Sequence, residues 1–204
     1  MNKTAAWPVA LRLIHWLSAA LVLGMLALGT IMVQFVADPA QRFDLTQTHK
    51  SFGIAVLALT VARLCLRLCS VAPPAEPASR SLLIAAKATH IGLYALLLLM
   101  PLSGWLMVST TPVRVPTEVF GLFTLPYPLA PDIVLYRIAH AIHVGLAIVL
   151  AGLIALHLGA ALLHALWWRD RTLARMWRAR RAERHARSSL SSNQFHIVAA
   201  PSDR

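Results

Sequence analysis

Acidic residues are scarce in this sequence: Asp and Glu together number 8 among 204 residues, and charged residues of all kinds make up 13%. A soluble domain carries about a quarter charged residues, so that class is excluded at the outset. Cysteine is nearly absent. Cys65 and Cys69 stand one helical turn apart and cannot build a disulfide framework, and inert packing is their simplest role. Aromatics contribute only 7%. No internal repeat is present, and no run alternates with strand period. What fills the chain is apolar: 58% hydrophobic residues and a mean hydropathy of +0.64.

Four long apolar runs, at about 9–36, 49–69, 88–108 and 138–168, hold most of that material. Each reaches the ~20 residues that a helix needs to cross ~30 Å of hydrocarbon. A spanning backbone must satisfy its own hydrogen bonds, so helix is the reading for all four. The expected fold is an all-α membrane protein, a four-transmembrane-helix bundle over residues 1–180. Residues 181–204 lack sustained periodicity and read as a disordered cytoplasmic tail. Lys3 ahead of an apolar stretch imitates a signal peptide, but the stretch is too long and has no clear cleavage site, so it is expected to stay as the first helix. Prolines punctuate the connections, most densely in Thr110–Pro131, which is expected to be an irregular loop. Pro101 falls inside the third span, where neighbouring helices can cover a freed carbonyl.

The net charge of +11 invites a nucleic-acid reading until the charges are placed. Fifteen of the Lys and Arg residues, including eight arginines between Arg169 and Arg187, fall on one side of the membrane. Arg42, Lys50, Arg114 and Arg137 fall on the other, where Asp38, Asp44, Glu118 and Asp132 balance them. The asymmetry predicts both termini in the cytoplasm, and the arginine run then reads as a topology signal and membrane-surface contact. No nucleic-acid partner is expected.

Nine histidines are many for this length, and seven lie in or at the ends of spans. An ionisable side chain inside a span is a functional candidate because burying it unpaired is costly. By depth, His15 lies towards the cytoplasm and His49 towards the outside. His143 and His157 are fourteen residues apart on the fourth run, ~21 Å of rise and within ~40° of whole turns, so they face one way from opposite halves. Depth then pairs His15 with His157 inside and His49 with His143 outside. His140, one turn from His143, is a rival outer partner. Two pairs so far apart do not make a four-ligand zinc site. They suit iron that a macrocycle already holds in four directions, with both axial positions filled by imidazole. Gly53, Gly145, Ala147, Ala151, Gly152 and Gly159 would let a flat group approach the backbone. His90 and His164, both towards the cytoplasm, could hydrogen-bond a quinone head group and pass protons, with Lys87 or Arg12 nearby to stabilise an anionic form, or could simply sit at the membrane interface.

Several stretches resemble the bacterial cytochrome b561 family: Leu11–Trp16, Thr48–Gly53 leading into Val61–Leu64, His90–Tyr94, Met100–Gly104, and His143 through His157 and His164 to Trp167–Asp170, Thr172, Leu173 and Met176. The likeness covers roughly residues 5–177 and runs closest to its superoxide oxidase (superoxide:ubiquinone oxidoreductase) branch. It implies a bacterial inner-membrane oxidoreductase in which His15, His49, His143 and His157 are axial ligands to the iron of two haem b groups. It further implies superoxide as periplasmic donor and ubiquinone as acceptor. The chain departs from the family pattern in the extra His140, a longer first span and the arginine-rich tail. The outer face has no net charge, leaving a local cluster of Lys50, Arg114 and Arg137 as the attraction for an anion.

Two other functions compete. The same haems could serve as the membrane subunit of a larger dehydrogenase or hydrogenase, fed by a periplasmic protein docking on Thr110–Pro131. A metal or proton transporter could use the histidines directly, although the spans hold no Asp or Glu for a relay.

Overall fold

The computed structural model describes residues 7–72, 79–170 and 172–177; the expected tail at 181–204 lies outside the described residues. Among the described residues four helices are long and apolar enough to cross a membrane: α1 (Val9–Gln34), α2 (Pro39–Leu68), α3 (Arg80–Ser109) and α4 (Ile133–Leu166). Between α3 and α4 lie two short strands, β1 (Thr117–Val119) and β2 (Phe123–Leu125), and a short α5 (Ala174–Trp177) follows α4.

Three of the long helices start well before their apolar runs, and caps explain why. Asp38 accepts from the Gln41 N–H at 2.9 Å, with Pro39 opening α2 in the first helical position. Ser79 accepts from Leu82 N–H, and Asp132 from the N–H groups of Val134 and Leu135. Hydropathy locates the membrane, whereas capping chemistry locates the helix, so α2 begins ten residues ahead of the expected span. Arg42 then donates to the Val36 carbonyl and closes the tight turn from α1 into α2. Helix α3 continues through Pro101 unbroken.

The helices pack in chain order, α1 on α2, α2 on α3 and α3 on α4. One buried residue from each, Val22, Val56, Leu96 and Leu150, forms the core. This layer sits at mid-height. Leu150 is seven residues from both His143 and His157, Val22 is seven from His15, and Val56 is seven from His49, which is two turns in each case.

The loop expected to be irregular contains a hairpin, with Thr117 opposite Leu125 and Val119 opposite Phe123. Its turn places both Phe120 (φ 52°) and Gly121 (φ 69°) in the left-handed region, the requirement of a I′ turn. Strands of three residues are too short for an alternating pattern to be read from sequence. The hairpin marks one end of the bundle, the hairpin end. At the other, terminal end, α5 returns to α1, where Trp16 Nε1–H donates to the Met176 carbonyl and stacks edge-on with Trp177.

Candidate functional site

The histidines meet in two pairs. At the hairpin end the rings of His49 (α2) and His143 (α4) have centres 6.4 Å apart with planes at 76°. At the terminal end His15 (α1) and His157 (α4) are also 6.4 Å apart, at 90°. A metal–imidazole bond is about 2.0 Å and a ring nitrogen lies about 1.1 Å from its ring centre, so two imidazoles on opposite sides of one metal have centres about 6 Å apart. Both pairs match that spacing. Among the described residues no three His, Cys, Asp or Glu side chains gather as a metal site. The donor set therefore fits iron whose other ligands come from a macrocycle, and not a zinc or hard-cation site built from protein alone.

The environment of the hairpin-end pair supports the same fit. A cavity of about 560 Å³, within the usual range for cofactor sites, is lined by both histidines, Met25, Met100 and other apolar side chains. Thr117, Leu125 and Trp105 stand at its hairpin side. A Cβ on Gly104 would lie 3.1 Å from His143 Cε1, and one on Gly29 would lie 3.4 Å from His49 Cε1, so each imidazole rests against a glycine of a neighbouring helix.

Hydrogen bonding sets the tautomer of one ring. Ser103 Oγ donates its single proton to the Met100 carbonyl at 2.8 Å, so at 2.9 Å from His143 Nδ1 it can only accept. Nδ1 then carries the proton and Nε2 keeps its lone pair for a metal. His49 Nδ1, by contrast, is buried without a hydrogen-bond partner among the described residues.

At the terminal end the neighbours are polar. His90 (α3) sits 5.5 Å, ring centre to ring centre, from His157. Arg63 (α2), its guanidinium 5.3 Å over the Tyr94 ring, is close enough for its charge to bear on His15, His90 and His157 alike. His164 has a different setting. Its Nδ1 is hydrogen-bonded to the Asp170 carboxylate beyond the end of α4, and its ring packs edge-on against Trp168 with centres 4.5 Å apart. Burial would raise the Asp170 carboxyl, but the hydrogen bonds from His164 and from the Thr172 backbone and hydroxyl outweigh it and hold the group below its ordinary value.

The remaining candidates are dispersed. His140 lines the hairpin-end cavity but neighbours Tyr136, at 6.1 Å, and it is His143 whose ring faces His49. Among the described residues no atom comes within 4 Å of a Cβ placed at Gly145, Gly152 or Gly159, and Gly53 meets only Met25, while Ala147 and Ala151 line the cavity. Arg12 is buried in α1 and its Nε has no partner among the described residues, while Lys87 is exposed. Lys50 and Arg114 are tied separately to the loop carbonyls of Pro116 and Leu129.

Sequence reasoning missed Gly29, Arg63, Ser103 and Gly104. A signal for three of them was present. His15 and Gly29, His49 and Arg63, His90 and Gly104, and His143 and His157 are each fourteen residues apart. Every helix thus presents one residue to each end from a single face.

These features define a membrane-spanning helical bundle with two bis-histidine clamps stacked along its axis. Comparison with known proteins places the chain more narrowly. The family model described as prokaryotic cytochrome b561 matches residues 6–179, and the chain belongs to that family. It is 37% identical over 163 residues to cytochrome b561 homolog 2 of Escherichia coli (strain K12), covering 79% of this chain and 86% of the relative. It is 30% identical over 165 residues to the probable superoxide oxidase CybB of Yersinia pestis, covering 80% and 90% respectively. The protein is accordingly a multi-pass bacterial membrane protein of a haem b, electron-transferring family, with its helices in contact with lipid.

Proposed function

We propose that the chain holds two b haems, on His49 with His143 and on His15 with His157, and carries electrons from periplasmic superoxide to ubiquinone. The equal 6.4 Å spacing of the two pairs supports the ligand assignment more than any other observation. Haem b supplies one-electron chemistry, and with two histidines per iron it is suited to electron transfer. The arginines flanking α4 support an arrangement with the hairpin end in the periplasm and both termini in the cytoplasm of the inner membrane.

The protein's own contributions follow from its residues. Ser103 holds the His143 proton on Nδ1, and Gly29 and Gly104 let the two rings lie against their helices. The layer of Val22, Val56, Leu96 and Leu150 keeps water from mid-height. At the terminal end, His90 is a hydrogen-bond donor for an acceptor's carbonyl oxygen, and the Arg63 charge favours a negatively charged form of that acceptor. His164, oriented by Asp170, is the candidate to deliver protons there. Two superoxide ions each give up one electron and leave as dioxygen, and the two electrons with two protons convert the quinone to the quinol. The superoxide oxidase name of the Yersinia pestis relative supports the choice of donor.

The test is the haem-to-protein ratio of detergent-purified protein, followed by addition of a superoxide source with a ubiquinone analogue. Two b haems per chain and quinol formation dependent on superoxide are expected. Two haems without superoxide-dependent reduction overturn the donor, and absence of haem from cells that supply it overturns the ligand assignment.

A further inference from the structure

The hairpin is set deeper along the bundle than a solvent loop. The Ser51 hydroxyl donates to the Glu118 carbonyl at 2.9 Å and accepts from the Phe120 N–H at 3.2 Å, and the Phe52 ring packs edge-on against Phe120 at 5.1 Å. Ser51 and Phe52 lie two and three residues towards mid-height from His49, so the turn sits ~3–4 Å inward of the His49–His143 level. Two other helices show how far the apolar zone continues beyond that level. On α1, Gly29 is level with His49, yet Ile31, Val33 and Phe35 further out are exposed and apolar, Phe35 at 77%. On α3, Gly104 is level with His143, and the helix runs five more residues to Ser109, ~7.5 Å further. Side chains at the depth of the turn therefore face lipid wherever they point away from the bundle.

The turn's composition fits that depth. A I′ turn in water favours Asn-Gly or Asp-Gly, because both central residues have positive φ. Here the first of them is Phe120 at φ 52°, 50% exposed, followed by Leu122 at 80% and Phe123 at 52%. A bulky residue in the left-handed region is strained. An aromatic cluster on an exposed tip is the composition of a membrane-interface contact. Behind the tip, Thr117 and Val119 are buried, and Thr117 lines the cavity that holds His49 and His143.

We propose that the Phe120–Phe123 turn inserts into the lipid leaflet beside α2 and that this contact holds β1 as a lid over the hairpin-end cavity. The partner of this surface is lipid, and the lid is set by the membrane as well as by Ser51. This inference does not depend on the haem assignment.

Spin labels test it in the purified protein reconstituted in phosphatidylcholine–phosphatidylglycerol nanodiscs, with Cys65 and Cys69 changed to Ser. Labels at Leu122→Cys and Phe123→Cys are compared with Val149→Cys, exposed at the middle of α4 and away from the cavity, and with Gln41→Cys near the start of α2. The expected result is an oxygen-to-nickel-chelate accessibility ratio at the turn that matches Val149 and is several-fold above Gln41. A ratio at both turn positions equal to that at Gln41 would put the turn in water, open to a soluble partner, and overturn the proposal. Should one label disturb the turn, the other reads the same surface independently.

Discussion

At the hairpin end His49 and His143 face each other between Gly29 and Gly104; at the terminal end, fourteen residues along each helix, His15 and His157 have His90 and Arg63 for neighbours. One spacing thus serves two environments. The hairpin end is close-fitting and apolar, and its one ring hydrogen bond acts on a proposed ligand. The terminal end adds a positive charge and a third imidazole, groups that in the proposed function would hold an electron acceptor and its protons. A nearby cation favours the reduced form of a redox centre, so the comparison predicts the higher potential at the terminal end and electron flow towards it.

The comparison breaks most completely at the ligands. His143→Ala and His49→Ala are each expected to halve the haem content while sparing the other site, and His15→Ala and His157→Ala to do the same at the opposite end. His140→Ala is expected to retain both haems, because it is His143 that faces His49. A pyridine haemochrome assay of each variant reads this directly, and loss of haem in His140→Ala but not in His143→Ala would reassign the hairpin-end ligand. The next largest effect is expected at Gly104. A Val there brings branched carbon to within about 3 Å of the His143 ring, with helix backbone behind it. By analogy with outer-shell changes at metal sites, the hairpin-end haem should bind ~10–100-fold more weakly. Gly152→Val, whose site has open space, tests whether glycine itself is needed at the less confined positions.

Why the purpose of Gly104 was not legible beforehand, although its fourteen-residue spacing from His90 was, is instructive. The four helices and the depth pairing of the histidines follow from hydropathy and a 3.6-residue period, properties that each segment carries alone. A glycine in a membrane helix reads as ordinary helix packing. Only the ring of His143, brought from another helix, gives Gly104 its purpose. Ser103 is the same case, since its role depends on the Met100 carbonyl taking the hydroxyl proton. The helix starts at Pro39, Arg80 and Ile133 were legible in the caps Asp38, Ser79 and Asp132, but apolar run length conceals them. The hairpin was the least legible element, because a turn of Phe120-Gly121 departs from the usual signature of a I′ turn.

Smaller changes should separate the two ends by potential. Arg63→Gln removes the terminal-end charge and is expected to lower that haem's midpoint by an amount on the order of 59 mV, a tenfold shift for one electron. Ser103→Ala removes the oxygen next to His143 Nδ1, makes the imidazole a weaker donor, and is expected to raise the hairpin-end midpoint by less than that. Spectroelectrochemical titration of both variants checks the pair. Equal movement of both haems in either variant would mean that the ends are not electrostatically distinct.

The smallest effect is expected at Asp170. Its carboxylate is hydrogen-bonded to His164 and its other oxygen accepts from Thr172 N–H, which shapes the turn after α4. Because the folded group titrates below its ordinary value, its contribution is fully present above about pH 3.9 and is lost only as pH falls through the lower folded value. At neutral pH the carboxylate is therefore in place, and Asp170→Asn imitates the protonated form while keeping its size. The variant should retain both haems and both midpoints, since neither clamp touches this turn. Its rate of quinone reduction should fall a few-fold, with the rate of haem reduction by the donor unchanged, because only the His164 ring loses its orientation. An unaltered quinone rate would remove His164 from the acceptor site and leave His90 with Arg63 as the residues that face it.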